Sequence, residues 1–159
     1  MKGLFIFPVL LILLFGTHAV ADLAKGIDAF EKEDYAIAFK ELKPLAEQGD
    51  AEAQNYLGFM YSNGQGVTQD YRAAVKWYKL AAEQGEAHAQ GNLGTMYYYG
   101  RGVTQDYTRA LMWWNIVVSL GDKGAAKNRD IVAREMTYTQ IEKAQDLASE
   151  CVAKDYKDC

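Results

Sequence analysis

Gly66-Val67-Thr68-Gln69-Asp70-Tyr71 recurs, residue for residue, as Gly102-Val103-Thr104-Gln105-Asp106-Tyr107. Laying Asp50–Gly85 over Glu86–Gly121 without a gap makes 17 of 36 positions identical. Self-similarity at a fixed period of tens of residues marks a repeat architecture. A half-copy lies upstream: Asp34-Tyr35 matches Asp70-Tyr71, Ala38 matches Ala74, and Glu47-Gln48-Gly49 matches Glu83-Gln84-Gly85. Beyond Gly121 the pattern fades, although Asp122 and Ala125 still fall on register.

Each unit reads as two helices. The first is predicted over about Ala51 to Ser62 and ends at Asn63-Gly64-Gln65-Gly66, because glycine accepts the positive φ that closes a helix. The second is predicted over about Asp70 to Gln84. Its apolar residues Tyr71, Ala74, Val75, Tyr78, Ala81 and Ala82 follow the 3.6-residue period of an amphipathic helix. Asp70 suits the positive end of that helix, and Gly85 stops it. No alternation is long enough to argue for a strand. The fold class is therefore all-α, an α/α solenoid of helix-turn-helix repeats.

Gly58 and Gly94 sit mid-helix at equivalent positions, where glycine costs about 1 kcal/mol relative to alanine. Close approach of the second helix is the natural compensation. Trp77 and Trp113 repeat at one position and read as core anchors.

The pattern Ala53-Gln54-x-x-Leu57-Gly58-x-Met60-Tyr61-x-x-Gly64-x-Gly66-Val67-x-x-Asp70-Tyr71-x-x-Ala74-x-x-Trp77-Tyr78-x-x-Ala81-Ala82-x-x-Gly85 resembles the Sel-1-like repeat, a relative of the tetratricopeptide repeat. The second copy keeps Leu93-Gly94, Met96-Tyr97, Gly100-x-Gly102-Val103, Asp106, Ala110 and Trp113, and departs at Val117-Val118, where that family usually has Ala-Ala. The resemblance implies a tetratricopeptide-like superhelix whose usual role is to hold protein partners together.

The flanks divide the chain further. Residues 1–21 have the order of a signal peptide: Lys2, an apolar run from Leu4 to Phe15, then Ala19-Val20-Ala21 as a small-x-small cleavage site. Twelve apolar residues rise only about 18 Å as a helix, short of a bilayer core of roughly 30 Å. Export to the periplasm or beyond is expected, with no membrane attachment after cleavage. Residues 22–49 are expected to form N-terminal capping helices, with Pro44 interrupting the second of them. Repeats occupy 50–85 and 86–121. Residues 122–159 are expected to form C-terminal capping helices and a tail. Thr137-x-x-Gln140 is a capping-box start, and Ile141, Ala144, Leu147, Ala148 and Cys151 form the apolar stripe of a last helix. That helix is the expected cover for Ala110–Leu120, which is apolar almost all round.

Composition narrows the function. Half the residues are hydrophobic and 24% are charged, which excludes disorder over the whole length. The net charge of −4 argues against a nucleic-acid partner. Cys151 and Cys159 are the only cysteines, and in an exported chain they are expected to pair as an inert staple. They lack the C-x-x-C spacing of a redox pair. No cofactor or metal is expected: His88 has no second ligand at metal spacing, and no strand precedes the Gly64-x-Gly66 turn as a phosphate loop would need. Arg72, Lys76, Lys79 and Glu83 read as a solvated outer face.

The two copies also test which positions serve the repeat. On a helical wheel, Ala51, Ala53, Gln54, Leu57, Gly58, Met60 and Tyr61 are identical and fill one half. The differing residues Glu52, Asn55, Tyr56, Phe59, Ser62 and Asn63 cluster on the other side, where the second copy has His88, Gly91, Asn92, Thr95, Tyr98 and Tyr99. First helices of successive units line the concave surface of a solenoid, and aromatics are favoured at interface centres. Asn55, Tyr56, Phe59, Asn92, Tyr98, Tyr99 and Arg101 are therefore the candidates for contact with a protein or peptide, the alternative being that the aromatics pack against neighbouring units. The expectation is an exported, non-enzymatic scaffold. Two alternatives stand beside it: a hydrolase of the β-lactamase-like cysteine-rich branch of the resembling family, whose regular cysteine pairs this chain lacks, and a secreted effector binding a host protein. A homo-oligomer that lengthens the groove also stays open.

Overall fold

The computed structural model describes residues 22–159. The expected signal peptide and its cleavage site lie outside the described residues. Within them are eight α-helices and no strand. Helix α1 spans 22–31. It is followed by α2 (Tyr35–Glu47), α3 (Ala51–Asn63), α4 (Tyr71–Ala82), α5 (Ala87–Tyr99), α6 (Tyr107–Ser119), α7 (Lys123–Ala133) and α8 (Tyr138–Ala153). Consecutive helices from α2 to α7 pack on one another, and α8 packs on α6.

Local chemistry sets the boundaries. Asp50, Asp70, Asp106 and Asp122 are N-caps whose carboxylates accept backbone N–H groups of the first turn. Gly64 and Gly100 close α3 and α5 in the left-handed region, at φ 69° and 66°. At the start of α8 the capping box forms: Thr137 N donates to Gln140 Oε1 (2.9 Å) and Gln140 N to Thr137 Oγ1 (3.3 Å). The expected interruption of α2 at Pro44 does not occur. Pro44 falls in the last turn, where one missing amide bond is tolerated, and the helix continues to Glu47.

One contact recurs three times. A Cβ placed on Gly58 would lie 2.5 Å from the Tyr78 ring, one on Gly94 would lie 2.6 Å from Trp114 Nε1, and one on Gly26 would lie 2.6 Å from Leu42 Cδ2. Residues 42, 78 and 114 share one register position. Residues 22–47 are therefore a helical hairpin of the same kind, with a shorter turn. An ungapped comparison sees only its second half.

The recurring hexapeptide has two structural duties. It ties each loop to its own unit: Gln69 Nε2 donates to Ser62 O (2.8 Å), and Gln105 Nε2 to Tyr98 O (2.7 Å). It also docks each loop on the preceding unit. A Cβ at Gly66 would stand 2.5 Å from Tyr35 O, and one at Gly102 would collide with Tyr71 O in the same way. Buried glutamines add a second tie between units, with Gln54 Nε2 donating to Ala46 O (3.0 Å) and Gln90 Nε2 to Ala82 O (3.2 Å).

The series ends at α7. Asp122 caps this helix and Ala125 is buried, both on register. The positions of Leu57 and Gly58 are taken by Arg129 and Asp130, an exposed ion pair at 2.7 Å. A carboxylate there leaves no flat surface for a following helix, and α8 lies on α6 instead. Helix α6 is accordingly covered on several sides, with Leu111, Met112, Trp113, Trp114, Ile116 and Val117 all buried. The Sγ atoms of Cys151 and Cys159 stand at bonding distance, 2.08 Å. This closure turns the tail back toward the first repeat, where Lys157 Nζ donates to Glu83 O (2.6 Å). The tail lies beside Trp113, which is 3% exposed. Trp77 differs from the expected core anchor: it is only half-buried, with the Lys76 ammonium 5.9 Å from its ring centre.

Candidate functional site

The identical face of the first helices points inward. Ala53, Gln54, Leu57, Gly58 and Met60 are buried in α3, and Ala89, Gln90, Leu93, Gly94, Met96 and Tyr97 in α5. None of the differing residues is buried. Seven of the twelve, Asn55, Tyr56, Phe59, His88, Gly91, Asn92 and Thr95, line a groove of about 500 Å³, walled by α1, α3, α5 and α7 and floored in part by Trp114 and Val117 of α6.

Aromatic residues build one wall. The Phe30 ring of α1 meets Tyr56 edge-on at 4.9 Å and Phe59 at 5.6 Å. Phe59 remains 39% exposed, an apolar surface that water covers when the groove is empty. Burial pushes the Tyr56 phenol above its ordinary range, and the carboxylates of Glu52, Glu31 and Glu86 push it the same way. Toward the centre, Asn92 Nδ2 donates to Asn55 Oδ1 (3.1 Å), joining the two repeats across the concave face. Trp114 Nε1 donates to Gly91 O (3.2 Å), which holds the floor against α5. The far wall is α7, with Gly124, Ala125 and Asn128.

Four of the seven candidate contact residues thus meet in this groove: Asn55, Tyr56, Phe59 and Asn92. The other three do not line it. The Tyr98 ring stacks on Tyr107 at 5.4 Å and leans on Trp114 at 5.7 Å. Tyr99 projects at the end of α5, with the Arg101 guanidinium 4.8 Å from its ring. Arg101 also stands 5.5 Å from the Tyr71 ring. At the equivalent place one unit earlier, Gln65 Nε2 donates to Tyr35 OH (2.8 Å), so this position links units rather than facing the groove. Phe30, His88, Thr95 and Asn128 line the groove and were not among the sequence candidates. Phe30 and Asn128 lie outside the two full copies, so no internal comparison reaches them. His88 and Thr95 were visible as differing positions, and their residue types alone did not single them out. Among the described residues, no three His, Cys, Asp or Glu side chains stand where they could share a metal ion.

Comparison with known proteins agrees with this architecture. A family profile described as Sel1 repeat matches residues 51–86 and 87–122. A protective antigen of uropathogenic Escherichia coli strains, displaying an SLR fold, superposes with a TM-score of 0.82 at 32% identity, over 87% of this chain and 30% of the antigen. A Sel1 repeat protein from Oxalobacter formigenes superposes with a TM-score of 0.67 at 28% identity, over 80% of this chain and 55% of that one. The chain thus spans less than a third of the antigen and about half of the Oxalobacter protein. No curated protein matches it.

Proposed function

We propose that this chain, which belongs to the Sel1-repeat proteins, is an exported, non-enzymatic scaffold that binds a segment of another protein in the groove between α1, α3, α5 and α7. Sel1 repeats generally mediate protein–protein interaction. One observation carries the reading here. The positions at which the two copies differ include Asn55, Tyr56, Phe59 and Asn92, and these four line a single concave surface, while the identical positions make the core. A rigid groove that presents aromatic and amide groups binds at a low ordering cost.

Export is supported from two sides. Residues 1–21 follow the signal-peptide pattern. The Cys151–Cys159 closure suits an oxidising compartment. No described helix is long and apolar enough to cross a membrane.

The test is capture of a partner from the exported fraction of the source cells by wild type and by a Tyr56→Ala/Phe59→Ala variant of unchanged helicity. Wild type retains a partner that the variant loses. Equal retention by both removes the groove from the reading.

A further inference from the structure

Resting on the groove reading above, we infer that the segment it takes is cationic: an extended stretch with Lys or Arg next to an apolar side chain. The ionisable groups of the site point this way. Asp122 lines the groove. Glu52 and Glu86 line the recess that opens from it past Asn55, Tyr56 and His88. No Lys or Arg lines either space, and the imidazole of His88 is the one basic group there. A concave surface whose carboxylates outnumber its basic groups concentrates the field and selects the opposite charge.

The three carboxylates are not equivalent. Glu86 and Asp122 are engaged as helix caps, accepting from His88 N (3.1 Å) and Ala125 N (2.8 Å). Glu52 has no hydrogen bond or ion pair among the described residues and is exposed. Its charge is available to an incoming ammonium or guanidinium. Tyr56 stands between this carboxylate and the apolar wall made with Phe30 and Phe59, so a cation beside Glu52 also lies within reach of an aromatic ring. An apolar neighbour in the same segment would cover the exposed part of Phe59.

The amides supply the backbone half of the recognition. The Asn92–Asn55 bond uses Asn92 Nδ2 and Asn55 Oδ1. It leaves Asn55 Nδ2 and Asn92 Oδ1 without a partner among the described residues, a donor and an acceptor for the backbone of an extended peptide.

The probe is a library of random linear peptides displayed on phage and selected on the folded chain. Selected peptides should be enriched in Lys and Arg, and their synthetic forms should require Tyr56. Affinity should fall roughly tenfold in Glu52→Lys and should weaken with added salt. It should stay at the wild-type value in Glu150→Lys, which makes the same charge change on α8. Neutral or acidic peptides that require Tyr56, or peptides that bind Glu52→Lys as well as wild type, overturn the cationic assignment and leave the groove reading standing. Equal weakening by Glu150→Lys overturns it too, since the attraction would then belong to the net charge. If no selected peptide requires Tyr56, the groove reading itself falls.

Discussion

The Tyr78 ring closes on Gly58 so tightly that a Cβ on the glycine would lie 2.5 Å from ring carbon Cδ1. Gly58 lies inside α3, where alanine would gain about 1 kcal/mol of helix propensity. Overpacking of a filled interface typically costs more, about 1–3 kcal/mol. Gly58→Ala should therefore lower stability by about 1 kcal/mol, and Gly58→Leu should lower it severely. Gly91 is the contrast: it is also helical, and nothing stands within 4 Å of a Cβ there. Gly91→Ala should raise stability by about 0.5–1 kcal/mol. Urea denaturation of the three variants checks the opposite signs.

A difference between the copies leaves one buried acceptor alone. Gln84 Nε2 donates to Gln54 Oε1 (2.9 Å) in the first copy. In the second copy the place of Gln84 is taken by Leu120, and Gln90 Oε1 is buried without a partner. Leu120 is 53% exposed, so replacing it sacrifices little apolar burial. Leu120→Gln should stabilise by about 1 kcal/mol, and Gln84→Leu should destabilise by a similar amount. Chemical denaturation midpoints of the two variants should move in opposite directions.

Tyr78 also sets an alkaline limit. Burial raises its phenol far above the ordinary value of 10.0, against a smaller opposing effect of a Ser62 hydrogen bond. The folded state thus holds the proton that the unfolded chain releases near pH 10. Below that pH the contribution of Tyr78 is fully present, and it is lost as pH rises further. Stability measured between pH 9 and about 11.5 should fall less steeply in Tyr78→Phe than in wild type. Parallel curves would contradict this.

The second helix of each hairpin was legible from its 3.6-residue apolar period, and the inward set of the first because two copies could be laid over each other. Leu57-Gly58 against Leu93-Gly94 announced a close approach of the second helix without showing which of its side chains makes it, Tyr78 or Trp114. The same comparison could not find Gly26, whose hairpin has a shorter turn, or Phe30 and Asn128, which have no copy. It grouped Tyr98, Tyr99 and Arg101 with the contact candidates, and these three do not line the groove. A helical wheel gives direction around an axis and not position along it, and these three lie at the loop end of α5, beyond the groove. Gly66 and Gly102 read as turn glycines and do take positive φ, 70° and 73°, but a side chain there is also excluded by the carbonyl of Tyr35 or Tyr71 in the preceding unit. That contact joins residues far apart in the sequence, and no local pattern reports it.

The tail gives a redox-dependent prediction. Asp155, Tyr156 and Asp158 all have positive φ and lie inside the loop that the Cys151–Cys159 pair closes. Removing the pair in Cys151→Ser/Cys159→Ser should cost roughly 2–3 kcal/mol. Hydrogen exchange should rise most at Tyr156 and Lys157, where the released tail opens locally. Thermal melting with and without a thiol reductant should show the same loss in wild type and none in the variant.

The binding surface is tested most directly by photo-crosslinking from single positions. A benzophenone amino acid in place of Phe59 or Asn92, inside the groove, should capture the same partner segment in the native compartment. In place of Lys76, on the outer face of α4, it should capture none. Crosslinks from Lys76 to that partner, with none from Phe59 or Asn92, would contradict the assignment of the concave face.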